Sequence, residues 1–243
     1  MIWLSVLGLS ILGSVGGLAT AGLLVALHQN VRTRVVPWLV SYAVGTLLGA
    51  ALLSLLPEAL LSLPPTRVFS TLLIGIMTFF ALEKLVLWRH CHDDHDCEVH
   101  RSTTAMVVIG DAVHTFVDGA VIAATALVSL PLGLTTALAI TAHEIPQQAG
   151  DVAILLSAGQ TRSRAWMLTA IAACGGVLGA LSMLMFGAYV PGVLPYALSF
   201  AAGNFLYVAM SDLIPHLHRG GIDSSAVRQV VLIGLGILTM VLL

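Results

Sequence analysis

Two short stretches of the sequence combine imidazole and carboxylate side chains at helical spacing. His114 and Asp118 stand four residues apart, and His143 and Gln147 repeat that spacing, with Glu144 beside the second histidine. Residues four apart share one face of a helix. Imidazole nitrogen together with carboxylate oxygen suits zinc and neighbouring divalent transition metals. The predicted ligands of such a site are His114, Asp118, His143, Glu144 and, as a weak oxygen donor, Gln147.

These residues lie inside long apolar stretches, where a charged side chain costs roughly 2.5–3.5 kcal/mol even on the lenient insertion scale. The same stretches hold the further ionisable residues Glu58, Asp111, Asp151, Asp212 and His216. No lysine or arginine is available inside the membrane to pair with them. The missing positive charge is therefore a metal ion, or protons keep the carboxylates neutral. One His–Asp pair alone could be a structural hydrogen bond, whereas two clusters favour a metal.

The composition identifies the elements that must position these groups. Of 243 residues, 58% are hydrophobic and 9% are charged, against roughly 25% charged in a soluble domain. With a mean hydropathy of +0.99, the chain is predicted to be an all-α, polytopic membrane protein with one domain over 1–243. The net charge of −2 argues against a nucleic-acid partner. Turn residues delimit eight predicted spans: 2–27, 37–60, 66–88, 102–128, 131–157, 163–188, 192–215 and 224–243.

The fourth and fifth spans are predicted to form a hairpin that aligns the two histidines. His114 and His143 each lie about 12 residues into their span, roughly 18 Å at the rise of an α-helix. The tight turn near Ser129 and Pro131 lies midway between them in sequence. Both imidazoles should therefore lie level, near the middle of the bilayer.

Basic residues predict the orientation in the membrane. If the N-terminus faces outward, the outer loops hold only Arg67, and the other nine of the ten lysines and arginines lie on the cytoplasmic side. Eight crossings then place both termini outside. The expected location is the cell membrane, most readily the cytoplasmic membrane of a bacterium.

The two signature stretches resemble those of the ZIP (Zrt-, Irt-like) divalent metal transporters, in particular their LIV-1-like branch. They read HTFVDG at 114–119 and HEIPQQAGD at 143–151, and Leu56-Pro57-Glu58 and the region 203–215 extend the likeness. The resemblance implies a 3+2+3 helix arrangement, a homodimer and rigid-body sliding of one helix bundle against the other. It also implies that the protein is no enzyme and carries Zn²⁺ into the cytoplasm, with Fe²⁺, Mn²⁺ and Cd²⁺ as further candidate ions.

Four positions depart from the family pattern. Thr115 stands where the family has asparagine, Gln147 where it has a histidine and Gln148 where it has a glutamate, while Ser54 replaces a ligand-bearing residue of span two. Many members hold two adjacent metals. The loss of an imidazole and a carboxylate predicts one strong site here.

A hydrophilic tract at 89–101 interrupts the apolar pattern on the predicted cytoplasmic side. Such His- and Cys-rich tracts bind metal, although a solvated charged loop is the alternative. Its spacing matches no ordered zinc finger, so a loose, exchangeable metal trap is expected. The candidate loop ligands are His90, Cys91, His92, His95, Cys97 and His100.

Other residues have accessory interpretations. Asp111 could orient the His114 imidazole or carry a proton, and Asp151 could line an exit path. Asp212 and His216 could be exit ligands or a solvated interfacial cluster. Cys174, beside Gly175 and Gly176, is expected to be a buried thiol.

Two other functions remain open on the residues. A proton-coupled metal exporter would use the same ligands, because ligand identity does not encode direction. An intramembrane metalloprotease would need HExxH, but the second histidine is Gln147 here.

Overall fold

The computed structural model describes residues 2–26, 28–88, 96–187, 192–217 and 224–242. We number the helices α1 to α8 in chain order. The first four are α1 (Ile2–Ala26), α2 (Gln29–Gly49, then Ala50–Leu55 and Leu56–Ser62), α3 (Pro65–Trp88) and α4 (Asp96–Val128). The others are α5 (Leu130–Ser157), α6 (Arg162–Phe186), α7 (Val193–Tyr207, then Val208–Leu213 and Ile214–Leu217) and α8 (Ser224–Leu242). The described residues contain no β-strand.

The all-α, multi-pass architecture is confirmed. Among the described residues, six helices are long and apolar enough to cross a membrane by length and composition, namely α1, α2, α3, α4, α6 and α7. The apolar part of α8, Ala226–Leu242, is shorter, and α5 carries the polar residues of the candidate site. Eight crossings and outward termini therefore stay predictions.

The structure describes only part of the tract at 89–101: helix α4 begins at Asp96, and residues 89–95 lie outside the described part, so the loop stays a prediction. One sequence expectation changes. The expectation of a buried thiol at Cys174 is wrong. This residue is exposed, and its Sγ donates to the carbonyl of Ala170 at 3.3 Å, because the close packing of α6 uses the neighbouring glycines instead.

Two helices widen into π segments, each just ahead of a proline. Ala50–Leu55 is π-helical and precedes Pro57, and Val208–Leu213 is π-helical and precedes Pro215. Proline lacks an N–H group and its ring crowds the carbonyl four residues earlier. A wider turn relieves that crowding. By contrast, α5 continues as an α-helix through Pro146.

Close backbone contacts divide the helices into two sets. The site set is α1, α4, α5 and α6, and the flanking set is α2, α3, α7 and α8. A Cβ atom added at Gly119 of α4 would overlap the carbonyl oxygen of Gly176 on α6. In the flanking set, one at Gly75 of α3 would overlap the carbonyl of Phe200 on α7, and one at Gly45 of α2 that of Ile233 on α8.

The contact between the two sets is made by side chains and not by close backbone approach. It consists of interlocking side chains such as Leu47 of α2, Ile140 of α5 and Phe205 of α7, all in one buried cluster. Among the described glycines, each one whose added Cβ would overlap backbone on a neighbouring helix does so within its own set. Backbone-to-backbone packing therefore joins the helices inside each set, whereas side chains form the contact between the two sets.

The α4–α6 contact predicts the effect of a single methyl group. We expect Gly119→Ala to destabilise the protein by about 1–3 kcal/mol or more, because the added atom meets backbone that cannot rotate away. The measurement is the melting temperature of the purified protein in detergent.

Gly150→Ala on α5 is the matched control, since an added Cβ there meets nothing within 4 Å. Alanine is about 1 kcal/mol more favourable than glycine inside a helix, so this variant should have the same melting temperature as the wild type or a higher one. Equal melting temperatures for the two variants would contradict the packing account.

Candidate metal centre

The hairpin of α4 and α5 brings the two predicted histidines into contact. His114 Nε2 lies 3.2 Å from His143 Nε2, and the two rings meet edge to face with centroids 5.5 Å apart. Both side chains are buried, with 8% and 1% of their surface exposed. Ser129 begins α5 by accepting a hydrogen bond from Leu132 N at 3.3 Å, which fixes the tight turn. The predicted level register of the two imidazoles is therefore confirmed.

The backbone orients one of these imidazoles. His143 Nδ1 lies 3.2 Å from the carbonyl oxygen of Ala139, one turn earlier on α5. A carbonyl accepts only, so Nδ1 carries a proton, and in the neutral imidazole Nε2 then presents its lone pair to His114 and Asp118. This is the orientation that a metal-binding histidine needs.

Asp118 completes a triangle of potential ligand atoms. Its Oδ2 lies 3.1 Å from His143 Nε2 and 3.5 Å from His114 Nε2. Ligands about 2.0–2.1 Å from a tetrahedral zinc lie about 3.3 Å from one another. The three edges of 3.1, 3.2 and 3.5 Å therefore match one face of a zinc tetrahedron.

Glu144 supplies a fourth group beside this triangle. One ligand atom from each of His114, Asp118, His143 and Glu144 lies within 4.8 Å of the other three. Glu144 is 1% exposed and accepts a hydrogen bond from the Gln148 amide one turn later. These four residues could hold one divalent cation, and the two ionised carboxylates would balance its charge.

The site contains no basic counterpart to its acids. Within the described residues, the ion-pair contacts of acidic groups are those of Asp118 with the two histidines. Asp118 Oδ1 has no hydrogen-bond partner there. Two buried carboxylates in an apolar surrounding need a positive charge to remain ionised, and within the described residues only protonated His114 or His143 could supply it; a bound cation is the other source.

The predicted weak ligand Gln147 lies outside the four-residue group. Its Nε2 donates to Asp111 Oδ1 at 3.4 Å, so the described contact of Asp111 is with this amide instead of the His114 imidazole. Asp151 lies two turns beyond Glu144 on α5, and its Oδ2 has no partner among the described residues.

Thr115, at one of the divergent positions, packs between helices. Its hydroxyl donates to the carbonyl of Ala172 on α6 at 2.8 Å, and it is fully buried. An added Cβ at Gly175 would come 2.6 Å from this hydroxyl. Thr115 therefore joins α4 to α6 and does not face the four-residue group.

The candidate loop ligands His90, Cys91, His92 and His95 lie outside the described residues. The side chains of Cys97, His100, Asp212 and His216 also fall outside the described part, although their backbone is helical.

Sequence reasoning missed two aromatic neighbours of the site. Phe79 of α3 packs edge-on against His114, with ring centroids 5.6 Å apart. Phe205 of α7 packs in the same way against His143 at 6.1 Å. Nothing in the spacing of these residues points to the site, because they belong to the flanking set and approach through tertiary packing.

The close packing of α1 against Glu144 predicts the effect of a substitution at Gly17. A Cβ added at Gly17 would come 2.9 Å from Glu144 Cβ. We expect Gly17→Ala to displace this carboxylate and to weaken divalent-cation binding about tenfold, the effect of losing one supporting contact at a metal site. Calorimetric titration of the purified protein with Zn²⁺ measures the change.

Gly16→Ala is the control, because its added Cβ would have an ordinary contact of 3.6 Å with Leu12 Cδ1. It should bind Zn²⁺ like the unaltered protein. Identical affinities for both variants would show that α1 does not set the position of Glu144.

The chain is similar to known metal transporters. A family model described as ZIP Zinc transporter matches residues 88–243. Zinc transporter ZIP13 of Pongo abelii is 35% identical over 172 residues, which cover 70% of this chain and 51% of that protein. Zinc transporter ZIP6 of Homo sapiens is 37% identical over 124 residues, or 51% of this chain and 16% of that protein.

A further relative, Metal cation symporter ZIP8 of Homo sapiens, is 36% identical over 114 residues, covering 46% of this chain and 24% of that protein. The chain thus spans about half the length of these relatives or less. They are eukaryotic, so they do not support the expectation of a bacterial membrane. The family model includes both signature stretches and all four residues of the buried group, and the chain belongs to the ZIP zinc transporter family.

Proposed function

We propose that this protein is a membrane carrier for divalent transition-metal ions, with Zn²⁺ as its main substrate, and that the ion binds between α4 and α5. The observation that carries the proposal is the triangle of His114 Nε2, His143 Nε2 and Asp118 Oδ2, whose edges of 3.1–3.5 Å suit tetrahedral zinc. Fe²⁺, Mn²⁺ and Cd²⁺ accept the same donor types and are further candidate substrates.

A single strong cation site follows from the contacts of the divergent residues. Thr115 uses its hydroxyl to join α4 to α6, and Gln147 bonds to Asp111. Neither side chain is available to build an adjacent site without breaking an existing contact. The ligands of the proposed site are therefore His114, Asp118, His143 and Glu144, and Gln147 would act as a weak accessory ligand only by giving up its bond to Asp111.

The two helix sets support sliding as the transport motion. The ligands all lie on the site set, whose helices are joined by backbone contacts such as that of Gly119 with Gly176. The boundary with the flanking set is made of side chains, which can change partners as a packed surface shears. We propose that the site set carries the cation past the flanking set as one body.

Uptake into the cytoplasm is the proposed direction on the basis of the family, and the asymmetric distribution of basic residues supports the orientation of the chain in the membrane. The proposed assembly is a homodimer in a cell membrane. The tract at 89–101 would receive metal on the cytoplasmic side as a loose trap, and Asp111, Asp151, Asp212 and His216 would line the path. Proton-coupled export through the same ligands is the second candidate.

Proteolysis has less support. In an HExxH protease the second histidine is a zinc ligand, and here Gln147 occupies its place and bonds to Asp111. The geometry therefore favours a carrier over a hydrolase.

Metal uptake into proteoliposomes tests the proposal directly. We expect the wild type to take up Zn²⁺. The uptake rate of His143→Ala should be lower by about tenfold or more, because one of the two nitrogens of the triangle is removed. His28→Ala removes an exposed imidazole and should transport normally. Absence of flux from the wild type across a panel of metals and pH values would refute the carrier function, and loss of cellular zinc on expression would favour export.

Gln147→His tests the single-site account. The variant adds an imidazole one turn from His143 and removes the amide bonded to Asp111. We expect an altered stoichiometry of bound metal and an altered ion preference, measured by metal analysis of the purified protein and by competitive uptake. Unchanged stoichiometry and preference would contradict the idea that Gln147 limits the site.

A further inference from the structure

Asn204 on α7 is a buried amide without a partner. It is 0% exposed, and neither its Oδ1 nor its Nδ2 has a hydrogen-bond partner within the described residues. A buried polar group left unsatisfied costs about 1–3 kcal/mol. A leucine has the same branching at Cγ and would carry no such cost, so the amide itself calls for an explanation.

The neighbours of Asn204 on its helix establish which way it faces. Phe200, one turn earlier, packs against Phe79 with ring centroids 6.4 Å apart, and Phe79 contacts His114. Phe205, the next residue, contacts His143. At about 100° per residue, Phe200 and Phe205 are separated by an arc of about 140° around the helix, and Asn204 lies inside that arc.

The contact of α7 with α3 lies next to Asn204. An added Cβ at Gly203 would overlap the carbonyl of Leu72 on α3, and the Tyr207 hydroxyl donates to Glu83 of the same helix. Tyr207 lies about 60° and Gly203 about 100° from Asn204 around the helix. Asn204 therefore lies at the edge of the α3 contact, on the side that turns toward Phe205 and the His143 ring. Helix α7 also packs directly against α4, which carries His114 and Asp118.

We propose that the carboxamide oxygen of Asn204 is a further ligand of the transported cation, contributed by the flanking set opposite the four-residue site. This inference rests on the proposed carrier function and adds a residue to the cation's path. An amide oxygen is a harder donor than an imidazole and suits Mn²⁺ and Zn²⁺ better than Cd²⁺. Asn204 thus biases the ion preference of the carrier, and binding of the ion satisfies its otherwise unpartnered oxygen.

Asn204→Leu separates this role from a structural one. We expect about a tenfold rise in the concentration of Zn²⁺ or Mn²⁺ that gives half-maximal uptake, the effect of losing one contact at a metal site, and a smaller rise for Cd²⁺. The melting temperature should stay the same or rise, because the unpartnered polar atoms are replaced by a hydrocarbon. Asn204→Asp keeps an oxygen at this place and should hold the half-maximal concentration at or below that of the wild type.

Ser199→Ala is the matched control. Ser199 is fully buried on the same helix, faces away from the site, and its hydroxyl donates to the carbonyl of Pro195 at 2.8 Å. It should leave uptake unchanged. The Asn204 assignment is overturned if Asn204→Leu keeps wild-type uptake and ion preference, if its melting temperature falls, or if Ser199→Ala impairs uptake equally. Lack of flux in the wild type would instead reject the carrier function itself.

Discussion

Buried acids without buried bases are the constraint on which this structure depends. Asp118 and Glu144 are almost completely enclosed, and their described neighbours are imidazoles and amides that bring no fixed positive charge. In a low-dielectric interior such a pair repels itself and loses its hydration. A dication removes both penalties at once, and for this reason the site geometry, the helix packing and the family membership are parts of one explanation.

The packing of the helices serves this constraint in two ways. Small residues let α4 and α6 touch through their backbones, and this contact holds His114 and Asp118 on a firm support. At the same time, aromatic rings from α3 and α7 close over both imidazoles without any hydrogen bond to them. Apart from Asn204, the described contacts of the flanking set with the two imidazoles are apolar, and such contacts can be displaced without leaving broken hydrogen bonds behind.

Much of this arrangement could be predicted from spacing alone. Apolar length predicted the helices, and the symmetrical placement of His114 and His143 about a tight turn predicted their contact, because both depend on local periodicity. The bond between Gln147 and Asp111, the packing role of Thr115 and the approach of Phe79 and Phe205 could not be predicted. They depend on the azimuth at which separate helices meet, which one sequence does not encode in any local pattern.

The two π segments change which face of the helix the later side chains occupy. A π turn adds one residue to the local repeat, so it acts as a one-residue insertion that shifts the phase of every later side chain by about 100°. In α7 this shift falls between the level of Phe205 and that of Pro215. A helical wheel drawn straight through the helix would therefore assign the residues after the π segment to the wrong face, and comparisons between relatives should treat the two parts of this helix as separate registers.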